Sequence, residues 1–206
     1  MIIVGSNLIW VIGSSLVANA AQHVVQRPSG KNLGFEKWGI QVIWVGMPGM
    51  SWYSMVSLVH AMVNAFGVPR ALLLHVGAND IGAWSTKELI YHMKFALFII
   101  KRMIPSCALI YSCMLPRTLW RYSANYNAME RSRKRVNRGV RTYLLNNGGY
   151  VLKHLDLDDG HTALFAPDGI HLSFLGNDIF INAIQGAIEQ FLLYPNSRVF
   201  PNLSES

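Results

Sequence analysis

Two cysteines in 206 residues are too few for a disulfide framework, and both fall in one apolar run, 107–114. Read as a strand, that run holds Cys107 and Cys113 about 20 Å apart, well beyond the roughly 7 Å that bridged Cα atoms tolerate. A reducing, intracellular and cytoplasmic setting is therefore expected. Charge is also scarce: 14% of residues are Asp, Glu, Lys or Arg, against 51% hydrophobic. That balance excludes a disordered chain. Long apolar runs are missing too. Gly5, Ser6, Asn7, Gly13, Ser14 and Ser15 break up the apolar start, so it does not read as a membrane span. Ala18-Asn19-Ala20 has the form of a signal-peptidase site, but no Lys or Arg precedes Arg27, so no cleaved leader is expected.

Several enzyme classes lose their support in the same way. No Gly-x-Gly-x-x-Gly occurs, and Ser29-Gly30-Lys31-Asn32 lacks the upstream glycine and the hydroxyl residue of a phosphate loop. Seven scattered histidines and two distant cysteines make no metal-ligand cluster. Neither a metal nor a cofactor is called for.

What the chain does have is alternation. Apolar strand-like runs at 8–12, 40–45, 71–76, 107–114 and 150–154 alternate with helix-like stretches at 15–26, 51–66, 86–103, 123–145 and 174–193. Continuous apolar strands between helices imply a parallel sheet covered on both faces. The expected fold is α/β: a three-layer α/β/α sandwich on a five-stranded flavodoxin-like sheet, order 2-1-3-4-5. One domain spans 1–194, and 195–206, with two prolines and no periodicity, is expected to be a mobile tail.

Ligands in such sheets bind beyond the carboxyl ends of the strands. Four segments leave that edge or the last loop: Gly13-Ser14-Ser15-Leu16, Gly46-Met47-Pro48-Gly49, Gly77-Ala78-Asn79-Asp80 and Asp168-Gly169-Ile170-His171. Their residue types suit acyl transfer. A serine hydroxyl needs a base to take its proton, which His171 can do for Ser15. A carboxylate must orient that imidazole, and Asp168 lies three residues before it. The Ser15 N–H at a helix start, the Gly49 N–H and the Asn79 amide can together receive an oxyanion.

Each residue also has a plainer role. Ser15 can cap a helix, Asn79 can be a turn residue, and Gly46 reads as a turn glycine and Asp80 as structural. Gly5-Ser6-Asn7-Leu8 looks similar to the Ser15 segment, but too few residues precede it for an anchored central strand. His161 is the rival base; His75 reads as packed. Trp52, Trp84 and Trp120 follow different strands on the functional side, either as an aromatic wall for an acyl group or as packing. Arg117 and Arg121 can meet an anionic substrate group or form a solvated loop.

The four segments, in this order and spacing over 9–193, resemble blocks I, II, III and V of the SGNH (GDSL-like) hydrolase superfamily. That resemblance implies Ser15, Gly49, Asn79 and His171 as the family's Ser, Gly, Asn and His, with Asp168 completing its Asp-x-x-His. It implies hydrolysis of a small-molecule or lipid ester of short or medium acyl chain through an acyl-serine intermediate. One departure stands out: Ser14 replaces the Asp that precedes the family's nucleophile. The wording of 75–82 (HVGANDIG), 115–122 (LPRTLWRY), 128–137 (AMERSRKRVN) and 168–180 (DGIHLSFLGNDIF) further resembles the SGNH-like domains of eukaryotic DIRS and Ngaro retroelements.

The net charge of +7 favours an anionic partner. Much of it sits in 131–141, where Lys134, Arg138 and Arg141 share a helical face near Arg131. This is either a solvated face or a contact for nucleic-acid phosphates or an anionic membrane. The competing reading of the whole chain is thus a catalytically weak module of the same fold that binds through this helix.

Overall fold

The computed structural model describes residues 7–158 and 162–202. Ser6 and His161, the alternative nucleophile and base, lie outside the described residues.

Six parallel strands form one sheet: β1 (Leu8–Gly13), β2 (Gln41–Gly46), β3 (Ala71–His75), β4 (Ala108–Ser112), β5 (Tyr150–Leu152) and β6 (Val199–Phe200), in the order β2-β1-β3-β4-β5-β6. The helices are α1 (Ser15–His23), α2 (Met55–Phe66), α3 (Thr86–Met103), α4 (Tyr126–Asn146), a single turn α5 (Leu155–Asp158), and α6 (Phe174–Leu193). Alternate residues of a strand face opposite sides of a sheet, and that rule divides the core in two. Trp10, Ile12, Leu72, Leu74, Leu109 and Tyr111 pack under α2, α3 and α4. Ile9, Val11, Ala71, Leu73 and Ile110 pack under α1 and α6. The expected three layers and the order of the first five strands are those observed.

The tail is the main correction. Val199 and Phe200 pair with Val151 and Leu152 as a sixth strand, and Phe200 is buried. The N–H of Val151 donates to the Arg198 carbonyl (2.9 Å) and that of Lys153 to the Phe200 carbonyl (2.7 Å). Without β6, the short strand β5 would expose a row of unpaired backbone groups at the sheet edge. A two-residue strand set between Pro195 and Pro201 is too short to show a periodicity, which is why the segment reads as loose.

Helix ends follow local chemistry. Ser85 and Glu88 form a capping box at the start of α3. Asn125 accepts from the Ala128 N–H at the start of α4, so that helix begins three residues later than its polar run implies. The first helix gives way at His23 to a 3-10 turn, 24–26, ahead of Pro28. Among the described residues no helix is long and apolar enough to cross a membrane.

Candidate active site

Strand β1 ends at Gly13, and the chain turns at once into α1 with the buried Ser14 at the N-cap and Ser15 as the first helical residue. Two glycines let α1 sit directly on the strand ends. A Cβ at Gly13 would lie 2.2 Å from Val17 Cγ2 and 2.7 Å from the His75 carbonyl oxygen. A Cβ at Gly46 would lie 2.2 Å from the backbone of Ala18. Gly46 is therefore the last residue of β2 and a contact glycine, not the turn glycine expected. The peptide N–H groups at the start of α1 have no intrahelical partner, and their dipoles favour negative charge there.

The segment after the 3-10 turn at Thr162–Leu164 brings a carboxylate and an imidazole to Ser15. Asp168 Oδ1 accepts from the N–H groups of Ile170 and His171, both at 2.9 Å. Asp168 Oδ2 lies 2.6 Å from His171 Nδ1, and His171 Nε2 lies 3.0 Å from Ser15 Oγ. The backbone N–H of His171 leads the contacts that hold the Asp168 carboxyl down at about 2, followed by the His171 ring and the Ile170 N–H. The carboxylate is thus ionised at any ordinary pH. It fixes the imidazole proton on Nδ1 and leaves the Nε2 lone pair facing the Ser15 hydroxyl. The loop is braced by the segment that follows β4, where the N–H of Thr118 donates to the Gly169 carbonyl at 2.9 Å, and internally by the Ala166 N–H, which donates to the His171 carbonyl at 2.8 Å.

Across the strand ends, Asn79 Nδ2 donates to the Met50 carbonyl at 3.1 Å, which ties the β3 loop to the Gly49–Met50 turn. Gly49 is exposed with φ +76°, and open space surrounds the position a Cβ would take. The oxygen of the Asn79 amide accepts from Arg117 Nη1 at 3.1 Å. Arg117 is 8% exposed, and its Nε and Nη2 are buried with no hydrogen-bond partner among the described residues. Burial depresses its pKa to about 10, against the opposing pull of Asp168. This residue does not stand in solvent as an open anion receptor; it grips the amide that was expected to stabilise an oxyanion. Asp80 is structural as read, taking the Trp52 N–H at 3.2 Å, and its burial pushes the carboxyl up to about 6.

The aromatic wall is not assembled. Trp52 is buried against Gly77, and Trp120 is buried with Arg117 5.9 Å from its ring. Trp84 is exposed and packs on His92, 4.8 Å between centroids. Arg121 is exposed and lies over Tyr122. The described residues include no group of three or more His, Cys, Asp or Glu able to hold a metal ion.

A buried polar chain was not foreseen. Ser112 Oγ lies 2.9 Å from His75 Nδ1 and 2.7 Å from His154 Nε2, all three buried at the ends of β3, β4 and β5. Burial drives His75 down to about 3, assisted by the Arg117 charge, and drives His154 well below its ordinary value. Phe180 packs on both rings, with centroids at 4.9 Å. The only sequence signal is that each member directly ends or follows an apolar run.

No protein-family model matches the sequence, and no curated protein sequence matches it. Solved structures do resemble the fold. A GDSL-like lipase from Bacteroides thetaiotaomicron superposes with a TM-score of 0.70 at 16% identity, over 89% of this chain and 88% of that one. A putative acylhydrolase from Bacteroides fragilis gives 0.69 at 15% identity, over 90% and 88%. A psychrotrophic esterase from Pseudoalteromonas, solved inhibited by monoethylphosphonate, gives 0.66 at 17% identity, over 91% and 100%. The parallel sheet flanked by helices is therefore the fold of GDSL-like hydrolases.

Proposed function

We propose that this chain is a serine esterase of the SGNH type, which hydrolyses a carboxylic ester of short or medium acyl chain. The observation that carries the reading is the continuous contact Asp168–His171–Ser15 at the start of a helix.

The chemistry follows from that geometry. His171 Nε2 takes the Ser15 proton as Oγ attacks the ester carbonyl. Asp168, already ionised, stabilises the imidazolium that forms. The developing oxyanion meets the Ser15 N–H, the Gly49 N–H and the second hydrogen of the Asn79 amide. Imidazolium then protonates the departing alcohol, leaving an acyl-serine. Water, deprotonated by His171, releases the acid and regenerates Ser15. Ser14, in place of the family's Asp, touches none of these steps: it is buried and does not cap α1 with its side chain.

The test pairs labelling with turnover. A fluorophosphonate probe should label the protein, and Ser15→Ala should abolish labelling. Hydrolysis of p-nitrophenyl acetate should fall nearly as far in His171→Ala as in Ser15→Ala, and less far in Asp168→Asn. Undiminished labelling of Ser15→Ala refutes the assignment.

A further inference from the structure

The excess positive charge is distributed differently from its sequence reading. Arg133 leaves the basic face of α4 altogether: it is buried, held by Glu130, the Met114 carbonyl and Asp158. Lys134, Arg138 and Arg141 line a hollow of about 250 Å³ that also contains Asp158, so part of its charge is answered from within. The adjoining flank of the helix, which shares Arg138, is different. There α3 and α4 enclose an open groove of about 430 Å³ whose lining includes Lys87 and Lys94 from α3 and Arg135 and Arg138 from α4, with no acidic residue. Its other lining residues include Ile90 and Gly139, which let the two helices approach closely.

Beside this groove runs a file of exposed rings. Trp84, His92, Tyr91 and Phe95 touch in succession, with centroids 4.8, 5.7 and 6.3 Å apart. Tyr91 is 64% exposed and Phe95 54%, and their rings are parallel to within 10°. Neither ring serves the core, which α3 meets through Leu89, Met93, Ala96, Leu97 and Ile100.

We infer that the α3–α4 face docks single-stranded nucleic acid, with unpaired bases on Tyr91 and Phe95 and the phosphates in the groove of Lys87, Lys94, Arg135 and Arg138. The charge selects a polyanion and opposes a second copy of this cationic chain. The rings select single strands, since a duplex offers no free base face for stacking. This inference is independent of ester hydrolysis.

Fluorescence anisotropy with a labelled oligothymidylate of about twelve nucleotides tests it. Log affinity should fall with log salt with a slope near −2.8, from four phosphates at about −0.7 each on a single strand. Arg135→Ala with Arg138→Ala should flatten that slope by about 1.4. Tyr91→Ala with Phe95→Ala should weaken binding at least about fivefold per ring and leave the slope unchanged. All four positions are surface-exposed, and far-UV circular dichroism confirms that the variants fold. Salt-insensitive binding, or either double variant binding like the wild type, overturns the proposal. So does co-sedimentation with phosphatidylserine vesicles by a protein that ignores the oligonucleotide.

Discussion

Replacing Arg117 with Met isolates what this buried cation does for the candidate site. Methionine keeps an unbranched apolar chain in the same space while removing the charge and the donor to Asn79 Oδ1 at 3.1 Å. A hydrogen bond from a charged donor contributes roughly 1.5–3 kcal/mol. If that energy orients the Asn79 amide toward the oxyanion, its loss corresponds to a fall in kcat of about 10- to 150-fold. KM should stay within about twofold, because the contact acts on the transition state. Stability should move the other way. A cation whose folded pKa is depressed to about 10 holds its proton less firmly folded than unfolded, so at neutral pH the charge opposes folding, and the penalty fades only above about pH 10. Removing it should hold or raise the urea midpoint while activity drops. Steady-state kinetics on p-nitrophenyl acetate, set beside Asn79→Ala and the double variant, decide the matter. If Arg117 acts through Asn79, its removal costs nothing further once Asn79 is gone. Additive losses, or wild-type kcat in Arg117→Met, refute the reasoning.

Acid should weaken the fold through the buried histidines. His75 and His154 stay neutral when folded, so the stability they contribute is complete above about pH 6.5 and is lost as pH falls toward their depressed folded values. The loss should reach about 2 kcal/mol for the pair between about pH 6.5 and 5.5, read from urea midpoints. His154→Phe should halve the slope; an unchanged slope removes His154 from the account. The sixth strand makes a separate prediction. Phe200→Ala should cost about 3 kcal/mol and lower the urea midpoint, since Phe200 is 2% exposed. A loose tail would show no change.

The layers and the first five strands were legible because each strand carries its own apolar run and each helix its own period. That Ser15, Asp168 and His171 would meet was legible from one segment leaving the carboxyl end of β1 and an Asp-x-x-His segment in the last loop before α6. What escaped notice depends on side chains meeting across the sheet. Arg117 reads as a loop cation, since nothing nearby in sequence shows that Asn79, 38 residues earlier, takes its donor. Ser112 reads as one more strand residue until β3 and β5 place a histidine on each side of it. Trp52 and Trp120 follow strands exactly where a substrate wall would stand, yet burial of an indole outcompetes its exposure at a rim. Arg133 sits in a basic run, but its helical phase turns it inward, where Glu130 and Asp158 receive it.

The acid and the base of the candidate site occupy a single four-residue segment, joined to each other by two contacts, with a third from the Ile170 N–H to the same carboxylate. They lie on one short piece of chain. The nucleophile is 156 residues away in sequence, and one contact of 3.0 Å joins it to that piece. Under the proposed function, turnover would read out whether the C-terminal part of the chain is docked on the N-terminal part. Two separately produced fragments divided in the more exposed stretch 121–125 would each carry part of the candidate site, and hydrolysis by the proposed esterase would report their reassembly.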